Sequence, residues 1–326
     1  MTVLAREKRV VRDFNSAYEH DFDDLVWGRR AGHMGHHEYV DRSMPLWAKF
    51  LEDNAAKYYT PGNEIDLIKR AAQASAALLG DRPVTLVSRG CGTKFLPKEG
   101  ELIQHFRNVV GVVYLDRSDA ALEQSIDEGR RLLPDAWHKA IRADIYDPAL
   151  RYPVDGTEVG TSFGITLLNI EGFPTDPPPK DAYVRNLSAI QAQMRSGAHF
   201  IMTADHNQDR KSIEQAYAGQ GDFAKDMLRR TGCMNPNDVD FVVKFHRVSR
   251  TLSHGFRFHD DTLVRSRSCS GLRSFQAGDT LWFNNSVKPK LDETMEWNRS
   301  SGFTYARPDI PMDAQARLGW HHLIKN

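Results

Sequence analysis

The sequence is 326 residues long and carries 43 Lys plus Arg against 43 Asp plus Glu, so no net field of either sign draws in a phosphate backbone or an anionic membrane surface. Its 40% hydrophobic, 10% aromatic and 26% charged residues are ordinary globular values, which exclude a disordered or fibrous chain. At this length one large domain or two smaller ones is the expectation.

The start, MTVLAREKRVVRDF, lacks the apolar stretch of a signal peptide, and no run approaches the roughly 18 apolar residues of a membrane span. A cytoplasmic chain with no nucleic-acid or membrane partner is therefore expected. Cys91, Cys233 and Cys269 form no CxxC pair, which argues against a disulfide framework or a zinc site. His33, His36 and His37 in GHMGHHEY show neither HExxH nor a facial-triad arrangement. That segment reads as a polar loop or substrate lid, without metal.

Residues 64–80 have apolar positions at helical spacing and end on Gly80, a suitable C-cap. A short β-branched run at 83–88 then leads into the Gly90-Cys91-Gly92 turn, and 109–116 is a near-continuous apolar strand ending on Asp116. The helix over 118–133 takes Ser118 or Asp119 as its N-cap, with acids early and arginines late. Asp144 follows, then a strand-like stretch at 160–170, a proline loop at 174–180, a helix over 181–195 and a strand at 198–205. Repeated β–α alternation with buried strands predicts a doubly wound α/β sheet. After about residue 235 the texture changes to Val-, Phe- and Thr-rich segments, 240–268 and 272–288, that read as antiparallel strands. We therefore expect a cofactor-binding domain from 61–205 plus 289–326, and a substrate-binding α+β cap from 1–60 plus 206–288.

In an open α/β sheet, ligands bind outside the carboxyl ends of the strands where the strand order reverses. Gly90, Cys91 and Gly92 stand at such an end, either as a structural tight turn or as a loop against which a ligand can lie. Without a full GxGxxG, a phosphate-cradling dinucleotide site is disfavoured. Asp116 can accept two hydrogen bonds from a ribose diol or cap the next helix. Asp144 can accept from an adenine amino group or stand as a solvated loop acid. Together they describe an adenosine site with no demand for phosphate, which suits S-adenosylmethionine. Asn169 and Glu171 interrupt the apolar run 163–173, and a buried Asn must find partners, in a ligand or in a local turn.

These residues resemble the histidine-specific, S-adenosylmethionine-dependent methyltransferases of ergothioneine biosynthesis and relatives that N-methylate other amino acids. The similarity runs from about Tyr58 to the C-terminus. It is carried by 58-YYTPGNE-64, the glycine turn 89-RGCGT-93, 112-VVYLD-116, Asp144 with Ile145, 162-SFGITLLN-169, 203-TADHNQD-209, 216-AYAG-219, 284-NNSVK-288 and 320-WHHLI-324. The resemblance implies a Rossmann-like methyltransferase sheet with Gly90, Cys91, Gly92, Asp116, Asp144, Ile145 and Gly164 around the cofactor. It implies Tyr58, Asn169, Tyr217 and Ser286 around an amino-acid substrate, with Asn169 and Tyr217 on its carboxylate and amine. Tyr39 is set against a further pocket tyrosine.

Four departures matter. Ser88 stands where the family has an acid before the glycine turn, and the lysine after that turn has only Lys94 or Lys98 as substitutes. Asn284 replaces a glutamate that reads the imidazole, and His254 replaces a pocket methionine. Loss of a buried charged partner costs roughly 2–5 kcal/mol of discrimination, so the expected acceptor is an amino acid other than histidine. Glu171 as receiver of a cationic side chain favours arginine, with an aromatic amino acid next. The reading from another class is a nonenzymatic module binding an adenosine nucleotide.

Overall fold

The computed structural model describes residues 14–39, 41–55, 57–92, 95–174, 176–232, 234–265 and 271–326. Readings placed on the N-terminal thirteen residues, on Lys94, Cys233 and Cys269, and on the His36 side chain lie outside the described residues.

Seven strands make the main sheet: β1 (Val84–Arg89), β2 (Val109–Asp116), β3 (Trp137–Arg142), β4 (Thr157–Ser162), β5 (His199–Asp205), β11 (Phe303–Tyr305) and β12 (Leu318–Lys325). Their order is β11-β12-β5-β4-β1-β2-β3. β1 to β5 are parallel, whereas β12 runs antiparallel to both β5 and β11. The order reverses at β1, so the crevice between the carboxyl ends of β1 and β4 is the ligand position this topology provides. Successive residues serve opposite faces: Leu86 and Val112 join the large core with Leu67 and Phe200, while Val87 and Val113 join a second cluster with Leu115 and Ile145. Burial on both faces is why these strands read as continuous apolar runs.

The helices of this region are α3 (Tyr59–Ala77), α4 (Glu101–Ile103, continuing a π-helical turn at Leu96–Gly100), α5 (Asp119–Leu132), α6 (Lys180–Gln193) and α9 (Leu291–Ser300). α5 starts as its sequence dictates. Ser118 Oγ accepts from the Ala121 amide at 3.1 Å, Asp119 sits in the first turn and Arg130 and Arg131 in the last.

Two boundaries differ from the sequence reading. α3 begins at Tyr59 rather than 64, since Pro61 is tolerated in a first turn, where amides have no helical acceptor. The strand expected over 160–170 stops at Ser162: Gly164 (φ 77°) and Ile165 (φ 62°) are left-handed, and a 3-10 turn follows at Thr166–Leu168.

A three-stranded antiparallel sheet, order β10-β7-β6, is built from β6 (Val239–His246), β7 (Thr251–Phe258) and β10 (Thr280–Val287), with a separate hairpin of β8 (Thr262–Arg265) and β9 (Leu272–Phe275). Its core joins distant stretches of chain. Phe22, Leu25 and Val26 of α1 (Phe14–Val26) pack with Met227 and Leu228 of α8 (Gly221–Thr231) and with Phe256, Phe258 and Phe283. A third cluster unites Phe50 of α2 (Met44–Asp53) and Tyr58 with Ile213 and Tyr217 of α7 (Arg210–Tyr217), Phe245 and Leu252. No helix among the described residues is long and apolar enough to cross a membrane.

Candidate active site

β1 runs into Gly90-Cys91-Gly92 with Gly90 and Gly92 at φ 69° and 55°, the region where glycine pays no steric cost. Among the described residues, a Cβ at Gly92 would meet within 4 Å only the Gly90 carbonyl oxygen, at 3.9 Å. The turn therefore presents bare backbone that a ligand can approach. Asp116 Oδ2 accepts from the Gly92 amide and Oδ1 from the Ser118 amide, each at 3.0 Å. Burial pushes its carboxyl up, against the hydrogen bonds from Ser118 and Gly92. Each oxygen holds one of these amides, and a carboxylate has about four acceptor sites, so capacity remains for a diol. The cap of α5 is Ser118, not Asp116.

Asp144 Oδ1 accepts from the Tyr146 amide at 3.0 Å and Oδ2 from Arg117 Nη2 at 2.5 Å. Arg117 thus ties the loop after β3 to the end of β2. Ile145 lies in the cluster with Val87 and Val113, and its carbonyl accepts from Gln193 Nε2 at 2.7 Å. The Gly164 amide donates to Glu64 Oε1 at 2.6 Å, and a Cβ there would sit 3.1 Å from Lys98 Nζ.

Beside the glycine turn the structure supplies groups that sequence reasoning missed. Ser88 Oγ donates to Glu99 Oε1 at 2.6 Å, and burial pushes the Glu99 carboxyl up to about 7. Lys98 Nζ pairs with Glu64 Oε2 at 2.8 Å. An acid and a lysine therefore stand near the turn even though the residues in register lack them. Lys98 was within reach of the sequence reading; Glu99, in a π-helical turn, carried no signal.

The second group of residues gathers from separate segments. The rings of Tyr58 and Tyr217 lie 5.1 Å apart at 81°, and Tyr217 is 5.4 Å from the His254 ring. β7 and β10 pair His254 with Asn284, whose Nδ2 is 3.5 Å from His254 Nδ1. Burial and, second, the charge of Lys288 push His254 down to about 3; burial pushes the Tyr58 and Tyr217 phenols up. All three are neutral near pH 7. Lys288 Nζ donates to Ser286 Oγ at 2.8 Å and to the Tyr217 hydroxyl at 3.3 Å, and pairs with Asp205 Oδ2 at 3.1 Å. Tyr59 donates its hydroxyl proton to the same Asp205 oxygen at 2.7 Å. Asp205 ends β5, so this buried ion pair fastens the small sheet to the carboxyl edge of the large one. Neither Lys288 nor Asp205 was singled out as a site residue from the sequence.

Asn169 is half-buried at the end of the Thr166–Leu168 turn, with no side-chain hydrogen bond among the described residues. Glu171 does not join the Tyr58–Tyr217 group. Oε2 is held by Arg30 (Nη2 at 2.5 Å) and Oε1 by Arg185 at 3.0 Å, and the residue lines a cavity of about 610 Å³ with Pro177, Lys180, Thr251 and Asn285. Its role as receiver of a substrate cation is corrected: two arginines already occupy its carboxylate. His33 Nε2 is 2.8 Å from the Asp21 carbonyl oxygen and His37 Nε2 is 2.8 Å from Asp21 Oδ2. Among the described residues no group of three His, Cys, Asp or Glu side chains could hold a metal ion.

Residues 38–319 match the family described as histidine-specific, S-adenosylmethionine-dependent methyltransferase. The chain belongs to that family. Transfer of a methyl group from S-adenosylmethionine is therefore the activity of this methyltransferase. No curated protein matches the sequence. Similar solved structures include an S-adenosylmethionine-dependent methyltransferase from Clostridium acetobutylicum (10% identity, TM-score 0.46, covering 86% of this chain and 98% of that one). The methyltransferase CcbJ from Streptomyces caelestis is another (15% identity, TM-score 0.40, 79% and 89%). A third is CalS10, an amino pentose methyltransferase from Micromonospora echinaspora (14% identity, TM-score 0.39, 85% and 97%).

Proposed function

We propose that this methyltransferase N-methylates a free amino acid or a close relative, with the small sheet and the helices packed on it acting as the substrate cap. One observation carries the reading: the Asp205–Lys288 pair holds the Ser286 and Tyr217 hydroxyls at the carboxyl edge of the cofactor sheet. There a small polar acceptor can meet a methyl donor held by the glycine turn. Gly90, Cys91, Gly92 and Gly164 would border the donor, with Gly92 as the open backbone it lies against, Asp116 would take its ribose diol and Asp144 its adenine, with Ile145 packing that loop onto the sheet. S-adenosylmethionine supplies a methyl group activated by its own sulfonium. The chain's task is alignment, exclusion of water and presentation of a nitrogen lone pair. Tyr58, Asn169, Tyr217 and Ser286 offer neutral donors and acceptors for the carboxylate and amine of the acceptor, and Asn284 and His254 border the rest of it.

Arginine as the favoured acceptor rested on Glu171, which is already paired. Exclusion of histidine rested on the missing acid at position 284, but Asn284 Nδ2 donates to Glu38 Oε2 at 2.7 Å. An acid is thus present after all, supplied by another segment of the chain, and imidazole, guanidinium and indole side chains all belong in the acceptor panel. Incubation with labelled S-adenosylmethionine and each free amino acid tests the function: label should enter one amino acid or a narrow group of them. Label transfer to none of them would defeat the amino-acid reading.

A further inference from the structure

Glu38 lies next to the histidine-rich turn Met34–His37, which packs directly on β10. His33 forms an isolated antiparallel bridge with Asn284, and a Cβ on Gly35 would fall 2.2 Å from Asn284 Oδ1. Only a glycine lets the turn come this close, and the approach delivers Glu38 into the interior at 2% exposure. Of its two oxygens, Oε2 accepts from Asn284 Nδ2, whereas Oε1 is buried without a hydrogen-bond partner among the described residues. The Nε2 of His254, across Asn284, is likewise buried and unpartnered among the described residues. Buried polar atoms are nearly always satisfied, and an orphaned carboxylate oxygen is among the costliest to leave so. Burial pushes the Glu38 carboxyl up to about 8, against the hydrogen bond from Asn284 and the charge of Arg230. The acid is thus held through one oxygen, and the other is left open to a further donor.

We propose that Glu38 reads the far end of the acceptor's side chain, selecting amino acids that end in an N–H donor, with Asn284 as the positioning residue that holds it. This rests on the amino-acid reading above. Imidazole, guanidinium and indole all present such an N–H; aliphatic and phenyl side chains do not. A site built to hydrogen-bond one group rejects analogues lacking it, because its own polar atoms are then left unpaired. The acid reaches the pocket from the N-terminal segment and not from β10, so its position in the chain gives no hint of its place in the fold.

The test compares wild type with Glu38→Gln in kcat/KM across free histidine, arginine, tryptophan, leucine and phenylalanine, with S-adenosylmethionine affinity measured by calorimetry. Wild type should favour one of the three donor-bearing amino acids, and Glu38→Gln should lower kcat/KM for it at least tenfold relative to leucine and phenylalanine. Cofactor affinity should stay within twofold, which shows that the variant is folded. If Glu38→Gln does not hold the cofactor, Glu38→Asp replaces it and should lower the same ratio. A wild type preferring leucine or phenylalanine, or a variant whose ratio does not move, overturns the role of Glu38 alone. A wild type that methylates no amino acid overturns this proposal together with the reading beneath it.

Discussion

The carboxyl edge of the large sheet and the small sheet fastened to it brace their polar groups over different stretches of chain. At the edge, acids lean on backbone close by, Asp116 on the amides of Gly92 and Ser118 and Asp144 on the amide of Tyr146, with Arg117 from the end of β2 also holding Asp144. Around the small sheet, side chains meet across long stretches of sequence; among the described residues Glu38 Oε1, Asn284 Oδ1 and His254 Nε2 have no hydrogen-bond partner there, as Glu99 Oε2 and Ser162 Oγ have none at the edge. The first arrangement is set by loop geometry before any ligand arrives. The second is complete only when the tertiary fold is.

If the junction between these regions depends on the Asp205–Lys288 pair, Lys288→Met should have the largest effect. Removing one partner of a buried ion pair costs about 3–5 kcal/mol, because the other charge stays buried. Denaturant unfolding should show that loss, and Asp205→Asn combined with Lys288→Met should recover part of it. A single variant as stable as wild type would mean that the cap is held by its apolar contacts alone.

On the edge itself, Asp116→Ala should weaken S-adenosylmethionine binding at least tenfold, about 1.4 kcal/mol, as charge-assisted hydrogen bonds are lost. The KM of the amino acid at saturating cofactor should hardly change. Unaltered cofactor affinity would reduce Asp116 to a brace for the glycine turn, and the edge would then resemble an ordinary structural loop.

The smallest effect concerns pH. In the large sheet, His199 Nδ1 and His322 Nε2 lie 2.8 Å apart; burial pushes His199 down to about 4 and His322 down to about 3. A histidine whose folded value lies below its unfolded 6.5 contributes stability above about pH 6.5. That stability drains away as the pH falls, because the unfolded chain takes up the proton first. Glu38 and Glu99, raised by burial, trend the opposite way, so the informative quantity is a difference between proteins. Between pH 7 and 5.5, wild type should lose about 1 kcal/mol more than His322→Phe. Equal losses would show that the pair is free to protonate inside the folded sheet.

Much of the edge was legible because its parts follow one another along the chain: a glycine turn after β1, an acid ending β2, an acid after β3, a glycine after β4. The inner strands β1, β2 and β5 were recognisable as apolar runs because they are buried on both faces, and the end of β4 was misjudged, where left-handed Gly164 and Ile165 stop it sooner than the apolar pattern does. Glu171 misled for a related reason, since an acid beyond Asn169 looked poised for substrate until Arg30 and Arg185 were seen to hold it.

The sequence by itself determined the α/β class, the order of the cofactor-edge residues and the family resemblance, because parallel strands and their turns are written in local periodicity and glycine placement. It could not determine that Glu38 lies against Asn284, that Glu99 faces Ser88, or that Lys288 bridges Asp205 to Tyr217 and Ser286. Those contacts join residues whose separation along the chain carries no periodic signal. An acid in a polar loop reads as solvated until packing removes the water around it. Only the tertiary structure decided which charges are buried, and burial gives a carboxylate such as Glu38 the need for a partner.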